Sequence, residues 1–221
     1  MAKAVDRLGG IIAGGRPVRI GILLFPEVEV LDFAGPFEVF SVADRVARRD
    51  GLVPGGAFDV ATVAVGHRDV RARHGLIVRA AHEASDAPPF DLLVVPGGVV
   101  TQPLGDAATL DYIRRASAAA TLTASVCTGA FLLAAICLLE GRAATTHWED
   151  IPDLRAAHPA LQVLEDVPFV DEDEVITSAG ISAGIGMSLH LVAGILGPDA
   201  ARATARQMQY DWEPAVPATR S

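Results

Sequence analysis

The chain has 221 residues, with 18 Lys and Arg against 27 Asp and Glu and a formal net charge of −9. Hydrophobic residues make up 51% and charged residues 20%, which fits one folded domain with a full core and excludes a disordered chain. The acidic balance, with no basic cluster beyond Arg45-Val46-Ala47-Arg48-Arg49, argues against a nucleic-acid partner. No apolar run reaches the roughly 20 residues that cross a bilayer, so no membrane partner is expected. The two cysteines, Cys127 and Cys137, fall on or beside one helix and cannot bridge there. A reducing, cytoplasmic setting is expected.

In chain order, residues 1–17 read as a loose leader without a signal-peptide core. Residues 18–26 form a near-continuous apolar run ended by Pro26, the pattern of a strand buried on both faces. Gly35-Pro36 reads as a helix start, with the helix over 37–46 and Asp32 in the loop before it. Strands are expected over 58–65, 75–78 and 90–95, the last ended by Pro96-Gly97-Gly98. A helix follows over 107–119 and a strand over 121–126. The next helix spans 130–140, stopped by Gly141. A short strand over 142–146 leads to His147. A helix over 151–157, a strand over 161–164 and a hairpin over 169–177 come next. Apolar and amphipathic helices over 182–196 and 199–210 close the domain, and residues 213–221 read as a loose tail. The alternation predicts a single α/β domain over 18–212, a mostly parallel central sheet with helices on both faces. Ligands of such sheets bind outside the carboxyl ends of the strands.

Three loops fall at that edge, and they carry the candidate site residues. Cys127 sits where a β-branched strand runs into a helix opened by Thr128-Gly129-Ala130. A helix start lowers a thiol pKa and offers backbone N–H groups to an anion. A small buried apolar residue is the plainer account of any free cysteine; the bend favours a nucleophile here. Cys137, amid Leu132-Leu133-Ala134-Ala135-Ile136, reads as core. Asp32 either caps a helix or supplies a carboxyl to the thiol. Gly97 and Gly98 let backbone come close to a ligand, and the N–H groups of Gly98 and Thr128 are candidates for an anion hole. Thr128 either opens a helix or orients water. His147 is a candidate thiol partner or substrate contact, against a structural histidine. Glu27 and Glu29 have no spacing that points to the site. The remaining histidines lack ligand spacing, so no metal is expected, and no nucleotide-binding loop is present, so no cofactor is expected.

Five segments together resemble the ThiJ/PfpI superfamily, relatives of class I glutamine amidotransferases. They are Asp32-Phe33-Ala34-Gly35-Pro36, Val94-Val95-Pro96-Gly97-Gly98, Ser125-Val126-Cys127-Thr128-Gly129-Ala130, residues 141–148 and residues 177–185. The resemblance covers roughly 18–212 and implies a flavodoxin-like three-layer sandwich. Two branches are nearest. The isonitrile hydratase branch is similar in having threonine after the cysteine, where many members have histidine; it implies Cys127 as nucleophile and Asp32 as acid/base. The other is the sensor domain of AraC-type regulators, which is similar over 141–148. Such regulators need about a hundred more residues after the domain, and the chain ends soon after Trp212.

The expected function is cofactor-free hydration of a small isonitrile to an N-substituted formamide, with Cys127, Asp32 and Thr128 as catalytic residues. A short thiol-to-Asp32 distance with His147 remote would support it. A non-catalytic small-molecule sensor, or another cysteine-dependent amidase or glyoxalase-like enzyme, is the alternative. The partners expected are a small molecule and a second copy of the chain, since the resemblance implies a homodimer.

Overall fold

A computed structural model gives the fold and describes residues 2–218. The main sheet has seven strands. They are β1 (Val18–Leu24), β2 (Phe58–Ala64), β5 (His82–Glu83), β6 (Leu92–Val95), β7 (Leu122–Val126), β10 (Phe169–Asp171) and β11 (Val175–Ser178). Their order is β10-β11-β7-β6-β1-β2-β5, and every pair is parallel except β10 with β11. The short strands β3 (Asp69–Arg71) and β4 (Ile77–Arg79) form an antiparallel hairpin. The strands β8 (Ala143–Ala144) and β9 (Gln162–Val163) form a small parallel pair of their own.

The central strands are apolar because both faces are covered. All residues of β6 and β7 are buried. On one face pack α1 (Ala4–Ala13), α2 (Val30–Arg49), α7 (Ala183–Leu196) and α8 (Pro198–Gln207). The other layer is α3 (Thr101–Gly105), α4 (Ala107–Ala119) and α5 (Gly129–Ala135), while α6 (Ile151–Ala157) packs beside β9. This is the mostly parallel three-layer arrangement that the alternation implies. From β1 the chain steps one way to β2; from β6 it steps the other way to β7 and β11. The crevice at that reversal opens at the carboxyl ends of β1, β6 and β7.

Four readings are corrected. The leader is not loose: α1 buries Ala4 and Leu8 and lies against α7, where Val5 packs close to Gly194. Its apolar residues at helical spacing find a partner only in the folded molecule. The helix expected from residue 37 begins at Val30, capped by Glu29, whose carboxylate accepts the Val30 N–H at 3.2 Å. Pro36 therefore lies inside α2, where it lacks the N–H that would meet the Asp32 carbonyl, and Asp32 sits in the first turn.

The helix after Cys127 ends at Ala135 rather than 140. Cys137 adopts a left-handed conformation (φ 63), its N–H bonds the Ala134 carbonyl, and the Leu138 N–H bonds back to Leu133. These bonds close a helix in the position usually held by glycine, and they leave Cys137 exposed rather than in the core. The tail is extended, and Ala218 bridges to Val170 on the β10 edge; the tail residues past 218 lie outside the described residues. No helix among the described residues is long and apolar enough to cross a membrane.

Candidate active site

Cys127 stands at the sharp bend between β7 and α5 with φ 57, a left-handed conformation that costs a side-chain-bearing residue energy. Neighbouring bonds hold it there. Its N–H donates to the Ser178 carbonyl at 3.1 Å, and its carbonyl accepts the Thr146 hydroxyl at 2.8 Å. Gly129 follows because backbone passes so close: a Cβ there would lie 2.2 Å from the Val95 carbonyl oxygen. The small residues after the cysteine are thus required by the bend.

Asp32 is fully buried, and Cys127 and Thr128 are 6% and 7% exposed. The Gly97 N–H donates to Asp32 Oδ2 at 3.0 Å. The backbone that places Gly97 is itself anchored, since its carbonyl accepts the Glu29 N–H at 2.9 Å and Val28 bridges to Gly98. A Cβ on Gly97 would meet Thr128 Oγ1 at 2.5 Å and Asp32 Oδ2 at 2.9 Å, so only glycine lets the three loops meet. Asp32 Oδ1 is buried without a hydrogen-bond partner among the described residues.

The acid/base state departs from the sequence reading. Burial, then the charge of Glu29, push the Asp32 carboxyl up to about 7, against hydrogen bonds from the Gly97 N–H and the Cys127 thiol. Burial, then the Asp32 charge, push the Cys127 thiol well above its usual range, with a smaller push from Asp150. The Thr128 N–H and hydroxyl oppose this without reversing it. Burial therefore favours the neutral form of both groups, against the helix start that would favour a thiolate.

The anion hole expected from Gly98 is occupied. Its N–H donates to Thr128 Oγ1 at 2.9 Å, and the same hydroxyl donates to the Gly98 carbonyl at 2.9 Å. Thr128 is thereby a brace between two loops, with its proton engaged. Gly98 itself has φ +133 and lies against the backbone of Glu27 and Glu29, where no side chain fits.

His147 is not remote. β8 does not join the main sheet, but the Thr145 N–H donates to Thr177 Oγ1 at 2.9 Å and the Thr146 hydroxyl reaches Cys127. These bonds bring His147 to the thiol. A Cβ built on Gly180 would lie 2.4 Å from His147 Nδ1 and 2.8 Å from Cys127 Sγ. The two atoms therefore face each other across Gly180. His147 Nδ1 is buried and unpartnered among the described residues, and Nε2 lies 3.6 Å from Glu149.

Gly180, within the 177–185 segment of the family resemblance, lies against Cys127, and Glu29 and Asp150, which the sequence reading did not place there, act on the pair. Glu29 caps α2, lies 4.0 Å from Arg73 and acts on Asp32. Asp150 follows His147 by three residues and acts on both His147 and Cys127. No group of three or more His, Cys, Asp or Glu side chains among the described residues could hold a metal ion.

Comparison with known proteins agrees with this architecture. Residues 18–194 match the DJ-1/PfpI family. The chain is 35% identical over 209 residues to isonitrile hydratase of Pseudomonas putida, covering 90% of this chain and 81% of that protein. It is 30% identical over 207 residues to the HTH-type transcriptional regulator GlxA of Rhizobium meliloti, covering 90% of this chain and 60% of the regulator. A crystal structure of a ThiJ/PfpI family protein from Pseudomonas syringae superposes with a TM-score of 0.77 at 27% identity, over 91% of this chain and 78% of that one. DJ-1 of Schizosaccharomyces pombe shares the fold at 16% identity, with a TM-score of 0.71 over 88% of this chain and all of that one. The match over 18–194 and the identity to the hydratase establish that the chain belongs to the DJ-1/PfpI family.

Proposed function

We propose that the protein adds water to a small isonitrile, R–NC, and releases the formamide R–NH–CHO. The observation that carries this reading is the Asp32 carboxyl. It is fully buried, fixed by Gly97 and raised to about 7, it lies against the Cys127 thiol, and one of its oxygens is unpartnered. An isonitrile is nucleophilic and electrophilic at the same carbon, so it needs a proton and a nucleophile delivered to one atom. A neutral acid beside a neutral thiol supplies both.

In this reading Asp32 gives its proton to the terminal carbon. Cys127 sulfur forms the C–S bond, and the thiol proton returns to Asp32. The product is a thioimidate, R–N=CH–S–Cys127. Water then adds to the same carbon, its oxygen forming C–O and one proton passing to nitrogen. Thr128 is the expected water-holding residue, but its hydroxyl is engaged with Gly98. The unpartnered His147 Nδ1 takes that role. Collapse forms the C=O bond, breaks C–S and returns the hydroxyl proton to sulfur. The sum is R–NC plus water, and no cofactor enters.

The test is conversion of cyclohexyl isocyanide to N-cyclohexylformamide, followed by chromatography. Wild-type turnover that vanishes in Cys127→Ala and falls at least a hundredfold in Asp32→Asn supports the reading. Turnover that survives Cys127→Ala refutes it. The raised thiol and the likeness to GlxA also favour a second reading, a small-molecule sensor without catalysis; binding of isonitriles without turnover would select it. Exposed Leu31 and Phe37 at the head of α2 support a homodimer, to be checked by analytical ultracentrifugation. The two free cysteines, one of them exposed, support a reducing cytoplasmic location.

A further inference from the structure

The basic run Arg45-Val46-Ala47-Arg48-Arg49 has no part in the site around Cys127. Within it, Arg45 faces Glu38 at 3.3 Å and Arg48 faces Asp44 at 2.8 Å, both on α2 itself. Arg49 differs, because it ends α2 and reaches another element. Its Nη1 donates to Gln207 Oε1 at 2.9 Å, at the end of α8, while its Nε and Nη2 hold Asp50. Where the two helix ends meet lies a cavity of about 730 Å³, lined by Arg49, Arg202, Arg206, Gln207, Met208 and Gln209. That volume falls within the range of about 300–1,000 Å³ that small-molecule sites occupy.

Three guanidinium groups line this cavity and no carboxylate does, among the described residues, in a chain of net charge −9. Arg202 and Arg206 stand one turn apart on α8, a like-charge spacing that weakens a helix. Arg206 lies in the last turn, where the helix dipole favours a cation. The dipole does not account for Arg202, or for the approach of Arg49 from α2. Arg206 has no hydrogen bond or ion pair among the described residues. Arg202 pairs with Asp199 at 2.8 Å, but that carboxylate is 96% exposed, so the pair is weak and yields to a stronger acceptor. Gln207 turns its oxygen to Arg49, which leaves its amide N–H groups to donate. Met208 packs back onto the core and supplies an apolar wall.

We infer that this cavity binds a small anion of two or more negative charges, of the phosphate or carboxylate class. The guanidinium fork matches both, since each presents paired oxygens to two N–H groups. One bound anion offsets the repulsion between Arg202 and Arg206 and links them to Arg49 at the end of α2. The amides of Gln207 and Gln209 add donors for its remaining oxygens. Binding involves no covalent step and does not depend on the chemistry at Cys127.

Isothermal titration calorimetry of the full chain with pyrophosphate and with citrate, in a phosphate-free buffer of low salt, is the test. At least one of the two is expected to bind with a Kd below about 1 mM, and the tighter one tells whether the cavity prefers phosphate or carboxylate. Arg206→Ala removes no bond of the fold, so its melting temperature without anion stays that of wild type. The same variant is expected to weaken binding about tenfold, as is Arg202→Ala. Arg115→Ala removes a charge from α4, where Arg115 pairs with Asp111 at 2.9 Å, and leaves the Kd unchanged. No binding of either anion up to about 10 mM overturns the inference. So does binding that Arg206→Ala leaves intact, and so does an equal loss in Arg115→Ala, which would mean that the anion answers to overall charge and not to this cavity.

Discussion

Asp32→Asn is expected to make the protein more stable, and increasingly so as pH rises. The Asp32 carboxyl titrates near 7 in the fold against 3.8 in an exposed chain. Between those values the folded state holds a proton that the unfolded state has lost. Stability therefore falls as pH climbs through that window and levels off above it. At 1.36 kcal/mol per unit, this group costs about 1.5 kcal/mol at pH 5 and about 4 kcal/mol at pH 8.5. Asparagine has the same shape, keeps an oxygen for the Gly97 N–H and carries no charge. Its unsatisfied amide hydrogens cost the same at both pH values and cancel in the difference. Urea denaturation at pH 5 and pH 8.5 should show the advantage of the variant over wild type widening by roughly 2.5 kcal/mol. A gap that stays constant with pH would mean that Asp32 is ionised throughout, and the acid step proposed for it would fall.

Activity carries the same titration. With Asp32 as the acid, kcat/KM for cyclohexyl isocyanide is expected to decline above about pH 7, and a profile that rises there contradicts the assignment. Gly180→Ala places a methyl group against both Cys127 Sγ and His147 Nδ1; turnover should drop a hundredfold or more while circular dichroism stays that of a folded protein. Thr128→Val leaves the Gly98 N–H and carbonyl unpaired and should cost about 2–3 kcal/mol in denaturant titrations, largely restored by Thr128→Ser. Iodoacetamide at pH 7.5 should label exposed Cys137 well before buried Cys127. Peptide mass spectrometry reads the order, and labelling of Cys127 first would contradict the burial described.

The sequence was most informative where local pattern and burial agree. The nearly continuous apolar runs over β1 and β6 have to be buried on both faces, so a parallel sheet follows from composition along the run. Cys127 at a strand-to-helix bend was legible because Gly129 and Ala130 are the residues such a bend tolerates. Asp32 and the glycine turn were legible as neighbours at one sheet edge. Local signals misled at helix ends, where backbone geometry rather than residue type sets the boundary. Pro36 looks like a helix start, yet the cap is Glu29. Cys137 lies in an apolar stretch, yet it closes the helix in a left-handed turn.

By itself the sequence determined the strand and helix alternation and the sheet edge at which the Cys127 and Asp32 segments meet, because side-chain spacing and chain bends are local. Only the tertiary structure decided the environment of that pair, since the burial of both groups and the closeness of Asp32 to Cys127 come from segments far apart in the chain. It also decided that the Gly98 N–H is spent on Thr128 and that His147 reaches Cys127 across Gly180. Hydrogen bonding and desolvation depend on what fills the space around a group, and residues far apart in the chain fill it.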